Sequence, residues 1–152
     1  MGKTKLYMTE DYGKVLEWSV WANLDKHKDT ELVLLKGHLI LEVFIDNFIK
    51  NNTSENINKL SFYGKVKKLE KISATVGFES SLVECLFELN TIRNKFAHEW
   101  QFSIQSSGMD VWAKNVLSRV SATKYTRFTP RTKIVHSFSA LANELIELEK
   151  RL

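Results

Sequence analysis

A single proline stands in this chain of 152 residues, at position 130, and Thr129 directly precedes it. Proline breaks helix interiors, so a chain that keeps it out everywhere else is free to run in long helices. The pair Thr129-Pro130 is itself a helix start, an N-cap followed by proline at the first helical position. A β-sandwich and a proline-rich disordered chain are both disfavoured. The apolar residues agree: they recur at helical spacing almost throughout, with no internal repeat and no useful strand-like alternation.

That periodicity predicts a first helix over residues 12–25, with Val15, Leu16, Trp18, Val20 and Trp21 as apolar contacts. A second runs from Thr30, read as its N-cap, to about Asn51. Leu32, Leu35, Leu39, Val43, Ile45, Phe48 and Ile49 line it, and Leu34, Ile40, Leu41 and Phe44 widen the apolar arc. An arc this wide places the helix centrally or against a second subunit. After a polar loop over residues 51–60, Ser61 caps a third helix (62–75) that Gly77 closes. Ser80 caps a fourth (81–98), a short amphipathic piece covers about 110–120, and the last helix runs from Pro130 to the end. The expected fold is all-α: an antiparallel four-helix up-down bundle with one or two extra short helices.

Length and charge bound the rest. A chain of 152 residues suits one domain, and one this size buries roughly 70% of its unfolded surface without staples. Residues 1–11 read as a flexible N-terminus, with neither a signal peptide nor a myristoylation pattern. The longest apolar run, Leu32 to Leu35, is far short of a membrane span. The lone Cys85 points to a reducing compartment and reads as buried and inert. A cytoplasmic location with no membrane partner is expected. No cofactor is implied, and no metal either: there is no His-Glu-x-x-His, no aspartate pair and no cysteine cluster.

The fourth helix ends in Asn90-Thr91-Ile92-Arg93-Asn94-Lys95-Phe96-Ala97-His98-Glu99-Trp100. On a straight helix Arg93 and His98 lie about 140° apart, whereas Asn90, Asn94 and His98 share a face. Arg93 and His98 therefore converge only through a bend near Ala97 or through a second copy of the helix. The same spacing recurs at Arg131 and His136, but at a helix beginning and without the asparagine, and that pair is taken as accidental. Arginine, a polar residue, three more and then histidine, near a helix end, resembles the signature of the HEPN superfamily. The layout upstream, with Leu60-Ser61-Phe62-Tyr63-Gly64-Lys65 opening a helix and Gly77 closing it, is also similar to that of the mannitol-operon repressor family. The resemblance covers residues 30–100 and extends to the terminal helix by position.

The resemblance implies a single HEPN-like domain over residues 1–152 that forms a homodimer, with a cleft at the dimer interface where both chains contribute the motif. Its chemistry is metal-independent endoribonucleolytic cleavage through the ribose 2′-hydroxyl. His98 then acts as general acid or base, because imidazole titrates near working pH. Arg93 holds the phosphate and stabilises transition-state charge, and Asn94 orients the histidine or the scissile phosphate. A toxin or phage-defence role, with a cognate antitoxin or regulatory protein as partner, comes from the same resemblance. The alternative is a non-catalytic regulator, or an RNA- or protein-binding bundle, with Arg93 and His98 structural.

Between Asp110 and Glu144 there is no acidic residue, and Lys114, Arg119, Lys124, Arg127, Arg131 and Lys133 are interleaved with Trp112, Tyr125 and Phe128. Cations beside aromatic platforms suit unstacked RNA, so Lys124, Tyr125, Arg127 and Arg131 are the candidate RNA contacts. A second cluster is Lys59, Lys65, Lys67, Lys68 and Lys71, with only Glu70 among them. The competing reading is a solvated basic face with Trp112 and Phe128 in the core. His38 reads as a satisfied core or interface histidine, His27 as exposed, and Trp18 and Trp21 as packing residues.

Overall fold

A computed structural model describes residues 12–78, 80–120 and 129–152, with side chains from residue 15 onward. Among these residues the chain is all-helical: α1 (Tyr12–Asp25), α2 (Thr30–Asn52), α3 (Phe62–Thr75), α4 (Leu82–Ala97), α5 (Ile104–Ser107), α6 (Met109–Arg119) and α7 (Pro130–Glu149). Among the described residues, no helix is long and apolar enough to cross a membrane.

The capping chemistry explains most boundaries. Thr129 and Thr132 form a reciprocal capping box at the start of α7. Ser61 caps α3 by accepting from the Gly64 N–H at 3.2 Å. At the other end of α3, the Phe78 N–H bonds the Ser73 carbonyl and the Gly77 N–H that of Ala74. Gly77 there adopts φ 61°, the left-handed turn that glycine takes without strain. Two expected caps shift by one residue. Asp29, not Thr30, caps α2, because its extended backbone lets the carboxylate accept from the Glu31 N–H at 3.0 Å. At α4 the cap position belongs to Ser81, while Ser80 accepts from the Leu82 N–H and donates to Glu144 at 2.8 Å. The single turn of α5 is an addition to the expected elements.

The core is organised around α7, which packs against α1, α2 and α6 and touches α4, while α2 packs on α3 as well. Ile134, Phe138, Leu141, Leu145 and Leu148 are buried, as the apolar stripe requires. So are Ser137 and Ser139, whose hydroxyls donate to backbone carbonyls. A helix buried on nearly all sides is a core element and not a surface one. Trp112 of α6 stands between α4 and α7, with its indole N–H on the Cys85 carbonyl at 3.0 Å and its ring 5.2 Å from Phe138. It is a core residue and no platform for a base. Cys85 is buried, and burial pushes its thiol up to about 11, which makes it a poor nucleophile. Trp21 packs against the core, but Trp18 is exposed, and His27 is half-buried at the turn before α2.

Candidate functional site

The face of α4 carrying Leu82, Cys85, Leu86 and Leu89 is buried in the core. A turn further along the helix, Asn90, Arg93 and Asn94 open onto a groove of about 510 Å³. Leu35, His38, Leu39 and Glu42 of α2 form its opposite wall, and Ser61, Phe62 and Tyr63 at the start of α3 close one end. The groove therefore collects side chains from three helices.

Arg93 is distinguished by what it does not touch. Arg119 is held by Glu88 at 2.8 Å with Glu84 beyond, Arg131 by Asp25 at 2.8 Å, and Arg151 lies over the Phe78 ring. Among the described residues, Arg93 has no hydrogen bond or ion pair, and neither the Asn90 nor the Asn94 side chain has a hydrogen bond. Glu42, the carboxylate in the groove wall, is shared with Asp46 by the buried Lys65 at 3.7 and 3.0 Å. A guanidinium left without a partner beside two carboxamides is suited to an oxyanion.

His38 is the fourth such group. It is 9% exposed, its ring lies 4.1 Å from that of Phe62, and its Nε2 is buried without a hydrogen-bond partner. Burial, and after it the Arg93 guanidinium, push the imidazole down to about 4. His38 is thus buried as expected but not satisfied. The unfolded chain takes up this proton near pH 6.5 and the folded chain only near 4, so acidification through that window favours unfolding. Replacing His38 with leucine removes both penalties. His38→Leu is expected to be about 1 kcal/mol more stable at neutral pH. The gap should widen by about 2 kcal/mol near pH 4.5, read from urea melts at the two pH values. A gap that does not grow with acid would show that the folded imidazole takes up its proton as readily as the unfolded one.

His98 stands elsewhere. It is the C-cap residue of α4, its N–H on the Lys95 carbonyl at 3.1 Å, and it is exposed and does not line the groove. No bend at Ala97 turns it in, so one chain brings Arg93 and Asn94 together and leaves His98 outside. Trp100 follows, 91% exposed. Leu35 and Leu39 of the groove wall continue to Val43 as an apolar stripe at four-residue steps along α2, 39%, 58% and 47% exposed. The wide apolar arc of α2 therefore serves two faces, one in the core and one in solvent.

The basic stretches are less cationic than their sequence implies. The guanidinium of Arg131 donates to the Asp25 carboxylate and to the carbonyls of Asp25 and His27 (2.8–3.3 Å), tying α7 to the end of α1. This candidate RNA contact is committed to the fold. Lys124, Tyr125 and Arg127, with Phe128, lie outside the described residues. In the second cluster Lys65 is buried between Glu42 and Asp46, Lys68 pairs with Glu55, and Lys67 with Glu70. The counter-charges come largely from α2 and from the loop before α3. His136, the histidine of the second Arg-His pair, is buried. Among the described residues, no three His, Cys, Asp or Glu side chains gather as a metal site.

His38 and Asn90 are among the groove residues that sequence reasoning left out of the site. The available signal was a histidine within an otherwise apolar helix, and it carries no pointer to Arg93. Comparison with protein-family models, curated proteins and solved structures finds no match for this chain.

Proposed function

We propose that the chain is a HEPN-like, metal-independent endoribonuclease that works as a homodimer, cutting RNA through the 2′-hydroxyl. The observation that carries the reading is Arg93, a groove-lining guanidinium without a hydrogen bond or ion pair among the described residues, within a segment resembling the family motif. In this reading α2, α3, α4 and α7 are the antiparallel up-down bundle, with α1 and α6 packed onto it. Arg93 takes the scissile phosphate and Asn94 orients it. His98 reaches the reacting oxygens from a second copy docked through Leu35, Leu39 and Val43. An apolar stripe alongside a polar groove suits a two-fold contact, because the same patch serves both chains. The indole of Trp100, two residues after His98 and exposed, offers a base a stacking surface. A toxin or phage-defence role in the cytoplasm, regulated by an antitoxin, is the biological form this chemistry takes.

The test is purified chain with mixed RNA in EDTA. Cleavage that disappears in both Arg93→Ala and His98→Ala, with the helical circular dichroism spectrum intact, supports the assignment. Undiminished cleavage in either variant removes that residue from the site. The stripe has its own expected outcome. Leu39→Glu sets a charge into the apolar contact, and sedimentation equilibrium should then report a folded monomer with cleavage reduced in proportion to the lost dimer. A second reading, a regulator that binds RNA or protein without turnover, is favoured by the distance of His98 from the groove of its own chain. It predicts RNA binding that needs Arg93, no cleavage, and no effect of His98→Ala.

A further inference from the structure

Arg93 shares its groove with an exposed aromatic ring. Tyr63, in the first turn of α3, lines the end of the groove and is 51% exposed, whereas Phe62 beside it is buried. Its hydroxyl makes no hydrogen bond with any described residue. The ring is nevertheless held in place. It rests against Phe87 of α4 with centroids 5.2 Å apart, and Phe87 in turn packs on the core. The Lys67 ammonium, one turn along α3, stands 5.7 Å from the Tyr63 centroid and 5.5 Å from that of Phe87. A ring backed in this way, with half of the residue still open to solvent, is a platform for another flat ring. The polar groups in the same groove say what else that ligand carries. Arg93 and the carboxamides of Asn90 and Asn94, none of them hydrogen-bonded to a described residue, favour an anion. A phosphate followed by a flat heterocycle is the repeating unit of a nucleic acid, and its base faces are free only where the strand is unpaired.

We infer that Tyr63 is a substrate-touching residue on which one unpaired base stacks while Arg93 holds a neighbouring phosphate, so that the groove takes single-stranded RNA and rejects a duplex. This rests on the ribonuclease reading above and adds to it the strand form of the substrate and a positioning residue supplied by α3. Tyr63 and Arg93 belong to the same chain, so the strand is gripped independently of where the second copy presents His98. Stacking of this kind tolerates any sequence, because every base has a π-face. It therefore selects for an unpaired strand and leaves the choice of base open.

The experiment measures fluorescence anisotropy of three labelled probes of equal length, with the full chain carrying His98→Ala to suppress turnover. The probes are a single-stranded RNA of mixed sequence, the same RNA in a duplex, and an abasic sugar-phosphate strand that keeps the phosphates and lacks the bases. The single strand is expected to bind about tenfold more tightly than either of the others. Tyr63→Ala should weaken single-stranded RNA by about that factor and leave the abasic strand unchanged, whereas Tyr63→Trp should keep the affinity. Arg93→Ala should weaken both, since it removes a phosphate contact. Undiminished RNA binding in Tyr63→Ala overturns the inference, and so does a duplex that binds as tightly as the single strand. An equal loss for RNA and the abasic strand also overturns it, marking a structural role, as does a Tyr63→Ala chain that sediments as a monomer where its parent is a dimer. In each of those cases weaker RNA binding in Arg93→Ala keeps the ribonuclease reading standing. If no RNA binds, or if Arg93→Ala changes nothing, that reading falls and takes the inference with it.

Discussion

Under the proposed endoribonuclease reading, replacing Arg93 with alanine is expected to lower RNA cleavage by about 10²–10³-fold, the cost of removing one charge-stabilising donor. The fold should not notice. Arg93 makes no ion pair or hydrogen bond with any described residue, so its removal leaves no orphaned carboxylate behind. Arg131→Ala is the informative contrast, because that guanidinium donates to the Asp25 carboxylate and to two carbonyls at the end of α1. Its loss should reduce stability by about 1–3 kcal/mol and affect cleavage only through the folded fraction. Single-turnover rates alongside thermal melts separate the two cases. An Arg93→Ala protein that melts early but cuts RNA normally would reverse the assignment.

The largest stability effect is expected at Gly37. A Cβ built there would sit 2.6 Å from the Phe138 ring, closer than real contacts allow. That ring is fully buried and rests against Trp112, so it has nowhere to turn, and α2 must move away from α7. Gly37→Ala should cost about 2–3 kcal/mol even after the roughly 1 kcal/mol that alanine gains over glycine in a helix. In a domain of this size that lowers Tm by about 5–10 °C. Gly64→Ala is the control: its nearest neighbour is the Leu60 side chain at 3.3 Å, a flexible group able to give way. A Gly37→Ala protein as stable as the native chain would mean that α2 and α7 are packed less tightly than their side chains imply. Because His38 follows Gly37 directly, the same substitution should also disturb the groove.

What the sequence made legible was local. The ends of α3 and the start of α7 could be read because Ser61, Gly77 and Thr129 act on backbone groups within a few residues of themselves. The all-α class followed from periodicity for the same reason. The central place of α7 could not be read, since Ser137, Ser139, His136, Glu144 and Glu149 give it the composition of a half-exposed helix. Their burial depends on partners far along the chain, such as Ala113 for Ser137 and Asn52 for Glu149. Charge misled in the same way. Lys65 counted as one of a basic cluster until Glu42 and Asp46 of α2 came beside it. Arg93 and Asn94 were found through a contiguous motif, whereas His38 reaches them only through the packing of α2 on α4. Linear spacing cannot encode that meeting.

The position of α7 also governs how the protein is made. A ribosome delivers α1 and α2 long before the helix that covers them, so their apolar sides wait bare while more than half of the molecule is still being translated. Such a nascent chain is a natural client for chaperones, and premature termination within α7 leaves a sticky remnant in place of a smaller working protein.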